Sequence, residues 1–470
     1  MNNLQITEEK GFRTQNPSSN EIEKRFEYLR NESLQVVLDK SQEAYESWSR
    51  LGMKERADIA YQIADSFDER QKELAAIATR EMGKSLPAAQ GEVKFCGLIF
   101  RYFADNAEDL VADKLIKNKG GHKAIIQSRP LGVILGIMPW NFPYYQIARF
   151  AAPNLILGNV ILLKHAEICP QASLAVEGLL KHSGLPQGVY QNIFATHEQV
   201  ETVISDSRVQ GISVTGSERA GSAIAEVAGR NLKKVVLELG GSDAHIYLDA
   251  KNVQSVALQA FNQRMQNMGQ SCTSNKRLLV HDDIFDEFVD HVSKAASEMF
   301  PGDQLAPARN SYSPLSSEVA AQRVHRQVRH AVEQGAVLHV GGGRPDQPGA
   351  WMEPTVLSGI GPEMDIYHEE VFGPVISLYR VKTAEEALAI ANSSPYGLGG
   401  AVFSEDQELA CEIAQQLECG MAKVNIGESG APDMPFGGIK RSGFGRELGP
   451  LGMDEFVNKR LLYINESGLH

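Results

Sequence analysis

The sequence predicts an α/β protein carrying two parallel-sheet domains, and three observations point there. The chain has 470 residues, more than a single hydrophobic core usually serves. Short apolar runs alternate with helical stretches up to the glycine pair at residues 240 and 241. A second block of the same alternation runs from about residue 243 to 444. Alternation of this kind implies parallel βαβ units joined by crossover helices.

The elements follow in order. From Ser33 to about Ala112 the apolar residues of "SLQVVLDKSQEAYESWSRL" and "KERADIAYQIADSFDERQKELAAIATREM" recur every three to four positions, the period of helices. "AIIQSRPLGVILGIMPWNF" reads as two strands split at Pro130. Then strand and helix alternate through "NVILLK", "QASLAVEGLLKHSG", "VYQNIF", "VQGISVTGS", "ERAGSAIAEVAGRNL" and "KVVLELGG". The second block contains "RLLV" before "DDIFDEFVDHVSKAASEM", then "AVLHV", "VISLYR" before "TAEEALAIANSS", "GAVFS" and "MAKVNI". "GGGRPDQPGAW" interrupts it as a turn-rich surface loop. Smaller strand elements are expected near residues 116–131 and at the C-terminus.

Bulk properties narrow the function. Hydrophobic content of 43% with 22% charged residues is ordinary for a globular enzyme. A net charge of −13 without a lysine/arginine block argues against a nucleic-acid surface. No apolar run approaches the ~18 residues of a membrane span, and "MNNLQITEEKGF" lacks the regions of a signal peptide, so the cytoplasm is the expected location. The five cysteines are scattered, without a CxxC pair or a His/Cys cluster at metal spacing. Neither a disulfide framework nor a metal site is expected.

No GxGxxG motif lies between a strand and a helix. "GFGRELG" has its third glycine one place late and follows a loop. In "SVTGSERAGSAIAE" a strand ends at Thr215, Gly216 and Ser217 turn, and a helix begins whose amides suit an anion. Lys164 and Glu167 in "NVILLKHAE" sit at a strand's carboxyl end, where α/β sheets bind ligands. Each feature alone is equally an ordinary turn or a solvated loop residue; together they favour a nucleotide crevice.

Three residues carry candidate chemistry. Cys272 in "NMGQSCTSNKR" lies among small polar residues rather than in an apolar stripe, as a reactive thiol would. Glu238 interrupts an apolar strand end before two glycines, either as a paired buried charge or as a base. Asn141 in "IMPWNFP" follows another strand; its amide either satisfies its own turn or donates to an oxyanion. A thiol, a carboxylate and an amide donor meeting in one crevice meet the requirements of acyl chemistry.

With these residues in place, the chain resembles the aldehyde dehydrogenase superfamily over residues 16–465. "MPWNFP", "LLKHAE", "TGSERAG", "LELGG", "GQSC", "EEVFGPV", "PYGLGGAVFS" and "PFGGIKRSGFGREL" carry the resemblance, in that order. It implies two Rossmann-like domains and a small β oligomerisation arm. The dinucleotide-binding domain would span residues 1–115 and 132–240, the catalytic domain 241–445, and a bridging element 116–131 and 446–470. It further implies that Cys272 attacks an aldehyde, Asn141 holds the oxyanion, and Glu238 activates the water that hydrolyses the thioester. Lys164 and Glu167 would meet the adenosine ribose, and Gly216 and Ser217 the pyrophosphate. Trp140, Leu239, Glu370 and Phe372 would surround the nicotinamide end. Glu167 favours NAD over NADP, because a carboxylate accepts from a ribose 2′-hydroxyl and repels a 2′-phosphate. A homodimer or homotetramer is implied as well.

Among members of the superfamily, "QIARFAAPNLILGN" and "QNMGQSCTSNKR" are most similar to short bacterial succinate-semialdehyde dehydrogenases. The resemblance makes Arg149 the holder of the substrate's far carboxylate and Ser442 a substrate contact. Two positions depart from the pattern: Gln266 stands where a second arginine often lies, and His165 replaces the usual proline beside the lysine. Arginine at position 149 also fits lactaldehyde or glycolaldehyde enzymes. Ser274 replaces the second cysteine of a known disulfide switch, so that switch should be absent, leaving direct oxidation of Cys272. A thiol hydrolase would need a histidine base, and His281 instead opens a helix. A non-catalytic binding protein would not be expected to retain Cys272, Glu238, Asn141 and Lys164 together.

Overall fold

The computed structural model describes residues 11–119, 122–427 and 430–466. Its first part opens with the helices Asn31–Trp48, Met53–Glu69, Gln71–Met82 and Leu86–Asp105. In the last of these, Val93, Cys96, Phe100 and Phe103 recur at helical spacing and are fully buried, so one stripe faces the core.

A six-stranded sheet follows, in the spatial order Gly443–Phe444, Lys234–Glu238, Val209–Thr215, Val133–Met138, Val160–His165 and Tyr190–Asn192. All neighbours are parallel except Gly443–Phe444, which runs antiparallel to Lys234–Glu238. Chain order runs outward from Val133–Met138 in one direction and restarts beside it in the other. The crevice at the carboxyl ends of Val133–Met138 and Val209–Thr215 is therefore a topological switch point, the usual ligand position in such sheets.

The second sheet has seven strands, ordered Val337–Val340, Thr355–Ser358, Val375–Val381, Arg277–His281, Ala244–Tyr247, Gly399–Phe403 and Met421–Val424. Only Val337–Val340 pairs antiparallel. Side chains alternate between two apolar layers: Ile246 and Leu279 enter one cluster, Tyr247, Leu278 and Val280 the other. Both faces are covered, as parallel sheets require. A third, antiparallel sheet joins Lys114–Lys119, His122–Pro130 and Val457–Asn465.

Two features depart from the expected boundaries. Gly443–Phe444, assigned by sequence to the second domain, adds a strand to the first sheet at Glu238. Within 446–470, Leu448, Met453 and Phe456 are buried in the first core, so only Val457 onward enters the small sheet. The hairpin Phe12–Gln15/Ile22–Phe26 and the helix Glu318–Glu333 also complete the fold.

Candidate active site

The nucleophile candidate lies on a turn with an unusual backbone. The helix Val253–Met265 is followed by Asn267 (φ 47°), Met268 (φ 54°) and Gly269 (φ 72°), three consecutive left-handed residues. Two of them are not glycine, a costly arrangement that surrounding contacts must enforce. At Gly269 a side chain is impossible, since a Cβ would sit 2.1 Å from the Gly373 carbonyl oxygen. Arg264 enforces the turn from beneath. It is fully buried and donates to the carbonyls of Gly269, Val371 and Val375 and to the Ser274 hydroxyl. Burial lowers its pKa to about 9, with Glu370 opposing.

Lys276 clamps the other side of the turn. Its ammonium donates to the carbonyls of Ser271 (2.8 Å) and Cys272 (2.7 Å) and pairs with Glu370 at 3.1 Å. Glu370 also accepts the Gly241 amide at 3.1 Å. A Cβ on Gly241 would come within 2.8 Å of the Cys272 carbonyl, so the chain leaving Glu238 runs directly against the nucleophile loop. Burial raises the Cys272 thiol pKa to about 11; Arg149 and Lys276 pull it down, while Glu370 and Asp243 push it up.

Asn141 follows the strand Val133–Met138 and is 4% exposed. Its Nδ2 donates to Gln270 O at 3.2 Å, leaving one N–H spare, and its own carbonyl accepts from Asn267 Nδ2 at 3.0 Å. The loop is held at two further points. His165 Nδ1 accepts the Ala166 amide, so its Nε2–H donates to Pro143 O at 2.9 Å. Burial lowers the His165 pKa to about 4, which keeps the ring neutral for this task. Glu92 accepts the amides of Tyr144 (2.8 Å) and Tyr145 (3.0 Å) and pairs with Lys84, with both side chains buried. The Lys84 ammonium lies 3.7 Å over the Phe142 ring.

Glu238 ends its strand 2% exposed, and neither carboxylate oxygen has a hydrogen-bond partner among the described residues. Burial holds its pKa well above the usual carboxylate range; Arg149 and Arg446 oppose this, and Glu447 adds to it. A Cβ on Gly437 would lie 2.6 Å from Glu238 Oε1, so glycine there keeps the carboxylate's space open. An ionisable group with this much unbalanced burial and no bonded partner is a functional-site candidate.

The other predicted residues divide into three groups. On the nucleotide side, Lys164 is 8% exposed and its ammonium lies 4.0 Å from Glu167, which also accepts from Tyr28 at 3.4 Å. Ser217 caps the helix Glu218–Arg230 by accepting the Ala220 amide, and the space where a Gly216 Cβ would project is open. Gly221 packs so closely on Leu239 that a Cβ would approach it to 2.6 Å. Trp140 and Phe372 meet edge to face at 5.7 Å. Open backbone at the helix N-terminus on one side of the switch point and a lysine ending the strand Val160–His165 on the other fit a dinucleotide.

The second group contains the substrate candidates, and here the expectations need correction. A cavity of about 930 Å³ opens at Cys272, lined by Phe142, Tyr145, Gln146, Gln266 and Phe436 among others. Ser442 does not line it: the residue is fully buried, and its hydroxyl donates to Gly240 O (2.7 Å) and accepts the Gly397 amide (3.1 Å). Arg149 lies behind the wall, fully buried. It pairs with Glu447, donates to Thr215 Oγ1 at 3.2 Å, and sits between the Tyr145 and Phe436 rings. Its Nη1 has no hydrogen-bond partner among the described residues.

The third group is what sequence reasoning missed: Lys276, Arg264, Glu92 and Glu447. Lys276 was visible only as a cation near the cysteine. Glu92 and Glu447 are carboxylates in amphipathic or turn-like sequence, with no local mark of burial.

Comparison with known proteins identifies the family. The family model for the aldehyde dehydrogenase family matches residues 5–462. The NADP(+) succinate-semialdehyde dehydrogenase of Deinococcus radiodurans is 47% identical, covering 97% of this chain and 95% of its own. A Mycobacterium tuberculosis protein of the same name is 38% identical over 96% of this chain and 99% of its own. The crystal structure of succinic semialdehyde dehydrogenase from Streptococcus pyogenes with NADP+ superposes with a TM-score of 0.94 at 41% identity, covering 97% of this chain and 100% of that one. The chain belongs to the aldehyde dehydrogenase family and is an aldehyde-oxidising oxidoreductase that uses NAD or NADP.

Proposed function

We propose that the protein oxidises succinate semialdehyde to succinate. The observation that carries the chemistry is what surrounds Cys272 at the cavity: Asn141 is bonded to Gln270, two residues before it, with an N–H to spare, and the chain leaving the buried, unbonded Glu238 packs at Gly241 against the Cys272 carbonyl. The Cys272 thiolate attacks the carbonyl carbon, and the oxygen takes the displaced electron pair. Asn141 Nδ2 and the Cys272 amide hold that oxyanion. Lys164, Glu167 and Ser217 would hold a nicotinamide dinucleotide, which would supply the hydride acceptor: as the oxyanion re-forms its C=O bond, hydride would leave the thiohemiacetal carbon, and Cys272 would retain the acyl group as a thioester. Glu238, ionised, takes a proton from water as the hydroxyl attacks the thioester carbon, releasing the acid and the thiolate.

The semialdehyde reading rests on the relatives and on Arg149. Its unpartnered Nη1 and its position against two cavity-wall rings put positive charge behind the far end of a short substrate. The test is NAD(P)H formation with succinate semialdehyde, lactaldehyde and butyraldehyde, for wild type and Arg149→Ala. The expected result is a large kcat/KM lead for succinate semialdehyde that Arg149→Ala loses. Equal rates on all three substrates overturn the assignment.

The same reading assigns NAD as the preferred cofactor, although the relatives carry NADP(+) in their names. Glu167 would accept from a ribose 2′-hydroxyl and present a like charge to a 2′-phosphate. Wild-type activity clearly higher with NADP, or a Glu167→Ser variant with an unmoved NAD/NADP ratio, refutes this. The domain division is proposed as nucleotide-binding and catalytic units around the two parallel sheets. The antiparallel sheet would be an arm that pairs with a second copy of this chain, supported by its exposed Leu115, Ile116, Leu461 and Tyr463. Light scattering should then give a dimer or tetramer mass.

A further inference from the structure

The hairpin Phe12–Gln15/Ile22–Phe26 lies against the segment that carries Lys164 and Glu167. Phe12 points inward and is 1% exposed; its ring packs on Phe194 at 4.5 Å, and the Lys164 ammonium lies 5.3 Å over its face. Thr14, on the same side of the strand, donates to the buried Glu81 carboxylate, which also accepts the amides of Gln171 and Ala172. Those amides open the helix Pro170–His182, which follows Glu167 in the chain. Between these two anchors the Arg13 amide donates to Glu167 O at 2.9 Å. The Glu167 backbone is thereby fixed, and only its side chain is left to be oriented.

Tyr28 reaches that side chain from the end of the hairpin. The chain there is tied at Leu29, whose amide donates to Phe194 O at 2.8 Å and whose carbonyl accepts from Gln199 Nε2 at 2.6 Å. The Tyr28 ring meets Phe12 edge to face at 5.7 Å, and its hydroxyl donates to Glu167 Oε1 at 3.4 Å, a long bond suited to orienting rather than gripping. Burial and the neighbouring Glu167 charge raise the phenol's pKa, so the hydroxyl keeps the proton it donates. The Lys164 ammonium, at 4.0 Å, faces the same carboxylate oxygen. Both contacts therefore fall on Oε1. Oε2 has no hydrogen-bond partner among the described residues, and the side chain stays 30% exposed, so this oxygen is open to a donor from outside.

We propose that Tyr28 is a positioning residue for cofactor selection, holding Glu167 by Oε1 so that Oε2 is presented to the ribose 2′-position of the dinucleotide. This rests on the NAD reading above. A 2′-hydroxyl donates to an oxygen already oriented for it, and the enzyme avoids the cost of ordering a flexible glutamate on binding. A 2′-phosphate meets a negative charge that is held in place and cannot swing away. Without the phenol hydroxyl the carboxylate turns freely, which weakens the first interaction and relieves the second. Discrimination then falls from both sides.

The test is a binding measurement without aldehyde. NADH and NADPH are titrated separately into wild type, Tyr28→Phe, Glu167→Ala and the double variant, and nicotinamide fluorescence gives each Kd. Tyr28→Phe keeps the ring against Phe12 and removes only the hydroxyl. It should lower the ratio Kd(NADPH)/Kd(NADH) by about 3- to 10-fold, the worth of one hydrogen bond. With Glu167→Ala already present, Tyr28→Phe should leave the ratio where it is, as a residue acting through Glu167 must. A Tyr28→Phe variant that weakens both cofactors alike shows a packing role and overturns the proposal, as does a shift that persists in the Glu167→Ala background. A wild type that binds NADPH as tightly as NADH, or more so, overturns the NAD reading and this inference with it. A wild type that prefers NADH while Tyr28→Phe keeps the full preference overturns this inference alone.

Discussion

Replacing Arg149 with methionine isolates a buried charge whose consequences can be followed in two independent measurements. Arg149 is fully buried and Glu447 is 5% exposed; apart from the arginine, the Glu447 carboxylate has one hydrogen-bond partner among the described residues, Ser213 Oγ at 3.0 Å. Removing the guanidinium therefore strands a carboxylate away from water, which costs about 3–5 kcal/mol. Against a net domain stability of about 5–15 kcal/mol the variant still folds, with a clearly lowered unfolding midpoint. Adding Glu447→Gln removes the stranded charge and should restore much of the loss. The second measurement concerns Cys272. Arg149 is the foremost of the charges lowering the thiol pKa, so its loss moves that pKa above the present value of about 11. Iodoacetamide alkylation of Cys272 as a function of pH reads this directly, and the rising limb should shift to higher pH. A limb that stays put or moves down refutes the electrostatic role. Failure of Glu447→Gln to recover stability refutes the stranded-charge account.

Glu238→Gln should keep the first half-reaction and slow the second: rapid mixing shows a burst of NAD(P)H followed by turnover slowed about 10²- to 10⁴-fold. In wild type the steady rate should rise with pH through the elevated Glu238 pKa, since only the ionised form removes the proton from water. Asn141→Ala removes an oxyanion donor, and kcat should fall about 10²- to 10³-fold with little change in the thermal midpoint. Glu81 offers a pH test away from the chemistry. It is fully buried, accepts the Thr14 hydroxyl and the Gln171 and Ala172 amides, and burial raises its pKa from 4.5 to about 7. Between those values the folded state binds more protons than the unfolded chain, so stability falls as pH rises, by about 3 kcal/mol in all. Urea unfolding at pH 5 and pH 7.5 should show this decline in wild type and a flatter profile in Glu81→Gln.

Local pattern carried much of the architecture. The strands at Val133–Met138, Val160–His165 and Val209–Thr215 are short apolar runs because parallel strands are covered on both faces, and such runs are readable one at a time. Cys272, Asn141 and Glu238 stand out for a related reason: each is a polar residue at or just beyond the end of a regular element, where such sheets put their chemistry. What lay hidden depends on pairs distant in the chain. Nothing near Arg149 announces Glu447, so a residue that reads as a substrate clamp turns out to be ion-paired behind the wall. Ser442 misled for the same reason, because its two partners, Gly240 and Gly397, come from other segments. The left-handed run at Asn267 and Met268 defies local propensity and exists through Arg264 and neighbouring side chains.

The Lys84–Glu92 pair bears on how this gene could be recombined with a homologue. Glu92 belongs to a helix that looks like a dispensable N-terminal decoration, yet its carboxylate receives the two amides that fix the turn after Asn141. A chimera joined between residues 92 and 144 inherits the acceptor from one parent and the donors from the other. If the parent that supplies this helix lacks a carboxylate at that position, the amides of residues 144 and 145 lose their acceptor together. Shuffled libraries should therefore lose members with crossovers in this interval unless both parents share the pair, whatever their overall similarity.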